Sequence, residues 1–281
     1  MKNIKKSIVA IALASVALSA FAQEVQEPAP EAENLSIGAK VAYESTYVYR
    51  GVEASGNNVQ TTVSAEYSFA PMGSWGWSTY CELFYMAPIE REANKFSVKI
   101  GGFAMYEDEY FIDFGYKYTS YPNHGKVNHN AVDYTTVNRD NEIFLGVGRD
   151  IEFVQDAEWS VIRLFGYATY NFQFESLILE CGVEKTFNDI FYVDGLGLKA
   201  QVMYGYINQN EADGDQGYRP NNWHDDYGYF SGSLDLIYSL TKNTDVSVGI
   251  RYAWNNNGNP RHLSGMDTSN LWVGIGLNFR Y

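Results

Sequence analysis

From Leu35 onward the chain is written in two-residue periods. Leu35, Ile37, Ala39, Val41 and Tyr43 alternate with Ser36, Gly38, Lys40, Ala42 and Glu44, and near the other end Leu271, Val273, Ile275, Leu277, Phe279 and Tyr281 alternate with Trp272, Gly274, Gly276, Asn278 and Arg280. This is the period of a strand with one apolar and one polar face. The same pattern predicts twelve strands: Leu35 to Arg50, Asn58 to Phe69, Trp75 to Ala87, Lys95 to Tyr106, Tyr110 to Tyr121, Glu142 to Ile151, Trp159 to Tyr170, Leu177 to Phe187, Leu196 to Asn208, Tyr227 to Leu240, Asp245 to Asn255 and Ser269 to Tyr281. Trp159 to Tyr170 is the least regular. Ile162 and Leu164 are assigned outward there, because the opposite parity would place Arg163 in lipid, at a cost of a few kcal/mol near the midplane.

Three features favour a membrane barrel over a soluble sandwich. The runs are mostly 10 to 16 residues long, whereas strands of soluble sheets have a mode of about 5 to 6 and a spanning strand needs about 9 to 11. Their number is even, as single-chain bacterial barrels require. Connections also alternate: Ala70 to Ser74, Glu107 to Glu109 and Thr241 to Thr244 are short, while Pro122 to Asn141 and Gln209 to Asp226 are long. Short periplasmic turns and longer external loops produce that rhythm. The expected fold is therefore all-β, a transmembrane antiparallel barrel of about twelve strands, whose closure leaves no edge unpaired in lipid.

The front of the chain is of another kind. Met1 to Ala22 carries Lys2, Lys5 and Lys6, an apolar run from Ile8 to Leu18, and Ala20-Phe21-Ala22 before Gln23. That is the layout of a cleaved signal peptide over residues 1–22, and the run falls short of the roughly 20 apolar residues of a spanning helix. Residues 23–34, with Glu24, Glu27, Glu31, Glu33, Pro28 and Pro30, have almost nothing to bury and read as a disordered acidic periplasmic leader. Residues 35–281 are then the barrel. Export without a spanning helix, and a final strand ending on aromatic Tyr281, point to the bacterial outer membrane, with lipid and the assembly machinery that reads the C-terminal strand as partners.

Composition and charge narrow the function classes. Tyr (23), Phe (16) and Trp (6) are abundant enough to build two interfacial girdles. The formal charge of −14 becomes −17 when the three lysines of the signal peptide leave without any acid. So acidic a chain excludes the basic surface that nucleic-acid binding requires.

Two patches carry a family resemblance. Ser45 to Ser55, S-T-Y-V-Y-R-G-V-E-A-S, and Phe111 to Pro122, F-I-D-F-G-Y-K-Y-T-S-Y-P, resemble the TorF-type porin family, which carries a Tyr-x-x-Arg-Gly segment and an Asp-x-Gly-Tyr-x-Tyr-x-x-Tyr-Pro segment. Asn141 to Gly146 is similar to that family's next strand. Glu53, and the lack of a proline before Val59-Gln60, depart from the pattern. The resemblance implies an outer-membrane barrel of porin type and no particular solute.

Strand parity then assigns the lumen. Facing inward are nine acids (Glu44, Glu66, Glu82, Asp113, Glu142, Glu180, Glu184, Asp235, Asp245) and eight bases (Lys40, Arg50, Lys99, Lys117, Arg163, Lys199, Arg251, Arg280). Arg50 is expected at the external rim, ending the first strand, with Gly51 supplying the turn. Inward Gly146, Gly148, Gly197, Gly205, Gly274 and Gly276 are expected to leave room. The expected function is a porin-like channel for passive diffusion of small solutes. Because the remaining acids fall at the mouths, a mild cation preference that fades with salt is expected. The alternatives are a closed structural or adhesive barrel with functional external loops, and a lipid-modifying enzyme using His262 with Ser264 or His224 with Ser231 at the rim. Neither pair sits in a recognised catalytic motif, so no catalytic residue is assigned. His124 and His129 with Asp133, or His224 with Asp225 and Asp226, could bind a divalent metal, but loops of this kind are usually just solvated, and Asn210 to Asp215 lacks the full calcium-loop spacing with its terminal Glu. No metal or cofactor is expected. Cys81 and Cys181, on the third and eighth strands with outward parity, are too far apart around a barrel to bridge.

Overall fold

The computed structural model describes residues 34–89, 94–121, 139–154, 161–173, 175–209, 226–256 and 269–281. Segments 1–22 and 23–33, all four histidines, and the metal and rim-enzyme candidates that involve them lie outside these residues.

Among the described residues, alternation becomes ladder. The strands are β1 (Leu35–Glu44), β2 (Tyr47–Tyr49), β3 (Val52–Ser55), β4 (Asn58–Ser68), β5 (Trp75–Pro88), β6 (Lys95–Tyr106) and β7 (Tyr110–Ser120). There follow β8 (Arg139–Glu152), β9 (Val161–Asn171), β10 (Ser176–Phe187), β11 (Leu196–Gln209), β12 (Tyr227–Thr241), β13 (Thr244–Asn255) and β14 (Ser269–Arg280). All except β2 and β3 join one closed antiparallel barrel of twelve strands, each paired with its neighbour in the chain. The seam is β1 on β14, with Gly38 opposite Arg280 and Glu44 opposite Gly274. Ile37 and Tyr281 exchange both backbone hydrogen bonds there, each 2.8 Å. No edge is left open, which is what lipid demands of a spanning sheet.

Parity sorts the two faces. Ile100, Leu145, Leu179, Val202, Val248 and Ile275 stand exposed on the outer face, which in water would be untenable and in hydrocarbon is a match. Aromatic pairs flank that belt: Tyr67 with Phe69 and Trp75 with Tyr106 toward the end where the chain enters and leaves, Tyr170 with Phe172 toward the other. Leu164 is exposed, while Arg163 turns in and pairs with Asp150 at 2.7 Å. Cys81 and Cys181 are free and exposed on the outer face.

One prediction of the alternation fails. Leu35 to Arg50 is not a single strand: β1 stops at Glu44, and residues 47–55 form a separate two-stranded hairpin, β2 on β3. Its two-residue turn is Arg50-Gly51, both with positive φ (52° and 75°), the signature of the tight turn that matches the twist of a hairpin. Glycine is required at 51 for a second reason, since a Cβ there would collide with the Tyr229 side chain.

Candidate functional site

The hairpin points into the barrel. Tyr47 stacks on inward Phe84 of β5, with centroids 6.5 Å apart. At the turn, Arg50 Nη1 reaches Glu142 of β8 at 2.7 Å, and on the far side Asn255 Nδ2 of β13 donates to the Gly51 carbonyl at 2.6 Å. Tyr227 of β12 donates its hydroxyl to the Arg50 carbonyl. Arg50 therefore does not end a strand at the rim; it sits inside, on a hairpin that spans the lumen.

Glu142 is the hub of this contact. Besides Arg50 it receives Lys117 Nζ at 3.5 Å, Asn171 Nδ2 at 3.3 Å and the Tyr49 hydroxyl at 3.3 Å. Four donors on one carboxylate offset the cost of burying it. Three cations crowd the Tyr49 ring: Lys95 at 3.9 Å, Arg50 at 4.6 Å and Lys117 at 5.2 Å from its centroid. Lys95 is buried, and its ammonium finds the Tyr47 hydroxyl at 2.8 Å and the ring faces instead of a carboxylate. Burial pushes the phenols of Tyr47, Tyr49 and Tyr121 up, so all three stay neutral hydrogen-bonding groups. Burial opposes the charge of Arg50, and the Glu142 carboxylate together with the face of the Tyr49 ring keeps the guanidinium charged.

Burial follows the hairpin. Asn58, Lys95, Asp140, Glu142, Asn171 and Asn255, all inward at this end, are buried, whereas inward Glu66 and Ser68 at the opposite end are exposed. Polar residues become buried here because the chain itself replaces water against them.

Along β5 to β9 the inner wall is also filled, by rings. Tyr167 lies over Gly146, Phe111 over Gly148, Phe165 over Gly182 and Tyr80 over Gly101; a Cβ at any of these glycines would strike the ring. Asp113 sits among them, accepting the hydroxyls of Tyr80 at 2.6 Å and Tyr167 at 3.1 Å, with Lys99 at 3.6 Å. Elsewhere Tyr229 covers Gly205, the Glu44 carboxylate occupies the niche at Gly274, and Ser247 meets Gly276. Gly146, Gly148, Gly205, Gly274 and Gly276 therefore do not leave the open room expected of them. They are seats for neighbouring side chains, a pairing invisible until register sets which residues lie side by side. Gly197 meets only backbone within 3.4 Å.

Open space survives on the other side. A cavity of about 410 Å³ lies between the hairpin turn and the wall made by β11 to β14 and β1. Lys40, Lys199 and Arg251 line it, with Asp235, Gln201, Ser231, Ser233, Ser247 and Asn278. Lys199 pairs with Glu184 at 2.9 Å; Arg251 pairs with Asp235 at 2.8 Å and Glu44 at 3.3 Å. Below it, Arg280 pairs with Asp245. Glu180 bonds the Tyr229 hydroxyl, and Glu66 and Glu82 face inward on β4 and β5 without lining the cavity. The mild cation preference expected from the charge count finds no support in this lining, because Asp235, which faces the space, is paired with Arg251, and the neighbouring Glu44 and Glu184 are paired with Arg251 and Lys199.

Sequence reasoning missed Tyr47, Tyr49, Lys95, Tyr229 and Asn255 as parts of the site. A signal was present in Arg50-Gly51, which between two short alternating runs reads as a hairpin turn.

No protein-family model matches the chain, and no curated protein does. Solved structures do. The COG4313 outer-membrane channel from Pseudomonas putida F1 superposes with a TM-score of 0.53 at 11% identity, covering 92% of this chain and 98% of that one. The NanC porin gives 0.44 at 11% identity, covering 86% and 98%. LpxR from Salmonella typhimurium gives 0.45 at 9% identity, covering 87% and 99%. At these identities the likeness is one of fold, that of bacterial outer-membrane barrels.

Proposed function

We propose that the protein is a porin-like channel of the bacterial outer membrane, passing small solutes by passive diffusion, as the resemblance to TorF-type porins implies. The observation that carries this reading is the polar cavity kept open beside the hairpin inside a barrel whose outer face is apolar. Twelve strands fall between the eight that side chains just fill and the sixteen that leave a wide aqueous channel, so conduction is narrow. The hairpin and the ring-filled wall narrow it further. No catalytic role is assigned; Ser231 faces the cavity. The belt fits an outer membrane, and the seam strand β14 fits recognition by the assembly machinery.

The test is a planar-bilayer recording of refolded wild type and of a variant with residues 45–57 replaced by a short Gly-Ser turn. Small conductance is expected from the wild type and a several-fold larger one from the variant. Silence from both, with folding shown by heat-dependent gel mobility, would overturn the channel reading.

A further inference from the structure

Formal charge says little about the potential a solute meets when the charges come in oriented pairs. In the pairs around the cavity the base is consistently the more exposed partner. Lys199 is 39% exposed against 20% for Glu184, Arg50 13% against 3% for Glu142, and Arg251 18% against 8% for Glu44. Even for Asp235, which lines the space, Arg251 is slightly the more open. The same order holds for the other inward pairs described above, from Lys99–Asp113 to Arg280–Asp245. Carboxylates thus lie against the wall and ammonium or guanidinium groups stand between them and the water.

Lys40 removes the remaining balance. It is exposed, lines the cavity, and makes no direct ion pair among the described residues; Glu44, which Arg251 holds directly, feels its charge at longer range. The inward acids Glu66 and Glu82, without an ion pair among the described residues, are on β4 and β5 and do not line this space. Ser231, Ser233, Ser247, Gln201 and Asn278 add hydrogen-bond donors to the same space.

From this we infer that the cavity is a binding site for a small hydrophilic anion, and that the channel prefers anions although the chain is acidic. The inference rests on the channel reading for its consequence but not for its binding step. A low-dielectric wall focuses the field of the exposed cations into the cavity, so a carboxylate or inorganic anion is held by Lys40 and the open faces of Lys199 and Arg251.

Two measurements test it. In bilayers under a KCl gradient, the wild type should reverse on the chloride side, and Lys40→Glu should move the reversal potential toward potassium, with Lys40→Gln between them. In detergent, calorimetric titration of the folded barrel with citrate should show binding that Lys40→Glu weakens about tenfold or more, since the swap inverts a charge at contact distance. Lys40→Gln breaks no direct ion pair among the described residues and should fold, whereas Lys40→Glu adds a carboxylate near buried Glu44, so heat-dependent gel mobility is measured for each variant before titration. A wild-type reversal on the potassium side, or citrate binding that is absent or indifferent to Lys40→Glu, would overturn the anion site. Silent bilayers with intact citrate binding would instead sink the channel reading and leave the site standing.

Discussion

The two halves of the barrel wall use the same strand grammar to opposite ends. From β5 to β9 inward glycines alternate with aromatic rings, so that each ring finds a seat and the wall thickens into packing: Tyr167 over Gly146, Phe111 over Gly148. From β11 round to β1 the inward positions include Ser231, Ser233, Ser247, Asn278 and Lys40, which are too short or too hydrated to fill the space before them. The hairpin straddles both, bonding Glu142 on the crowded side and Asn255 on the open one. A barrel of fixed strand number thus sets its bore by which inward residues it places next to each glycine.

The largest effect expected from this contrast is at the hub. Glu142→Leu leaves Arg50 and Lys117 without their shared carboxylate in a buried site, and should cost about 3 kcal/mol or more in urea unfolding from detergent or vesicles. It should also free the hairpin, seen as larger and noisier conductance steps. If stability and conductance both stayed at wild-type values, the hairpin would not be anchored where it is described.

Next come the outer faces, where the two halves should behave alike. Val147 on the crowded side and Val248 on the open side are both about half exposed to lipid. Arginine at either should destabilise the membrane-inserted barrel by about 2–4 kcal/mol. A large difference between the two would mean that the inner filling reaches the outer belt.

A smaller effect separates the halves directly. Gly146→Val must displace the Tyr167 ring and should cost about 1–3 kcal/mol by overpacking. Ser233→Ala, facing the cavity, should stay within about 0.5 kcal/mol, as substitutions away from packed features do. Equal costs for this pair would abolish the distinction between packed and open wall.

Much of the fold could be read in the residues because a strand records its environment locally. Lipid rewards every second side chain, so Leu271 to Tyr281 announces its faces; Arg163 turns inward to Asp150, the parity assigned to its irregular run, although Arg149 at the same height stands outward and pairs with Glu109. Strand number and the end-to-end seam follow from the same alternation. The interior is another matter. Tyr47, Tyr49 and Arg50 keep the parity of β1, and although Arg50-Gly51 offers a turn, nothing local says whether the chain turns at the rim or breaks at Ser45 and turns back into the lumen. The break becomes visible through partners far away in the chain, Glu142, Tyr227 and Asn255, which closure brings to the same height.

Alternation therefore settles which face each residue shows, since face is a property of the backbone repeat and of the solvent on each side. It cannot settle what stands opposite, since a glycine is open space or a seat for a ring according to its neighbours on the adjacent strands. Nor does a charge count distinguish a cation turned to water from one turned to the wall. Those choices wait on register and closure, because contact across a lumen is made between residues that the chain itself never places near one another.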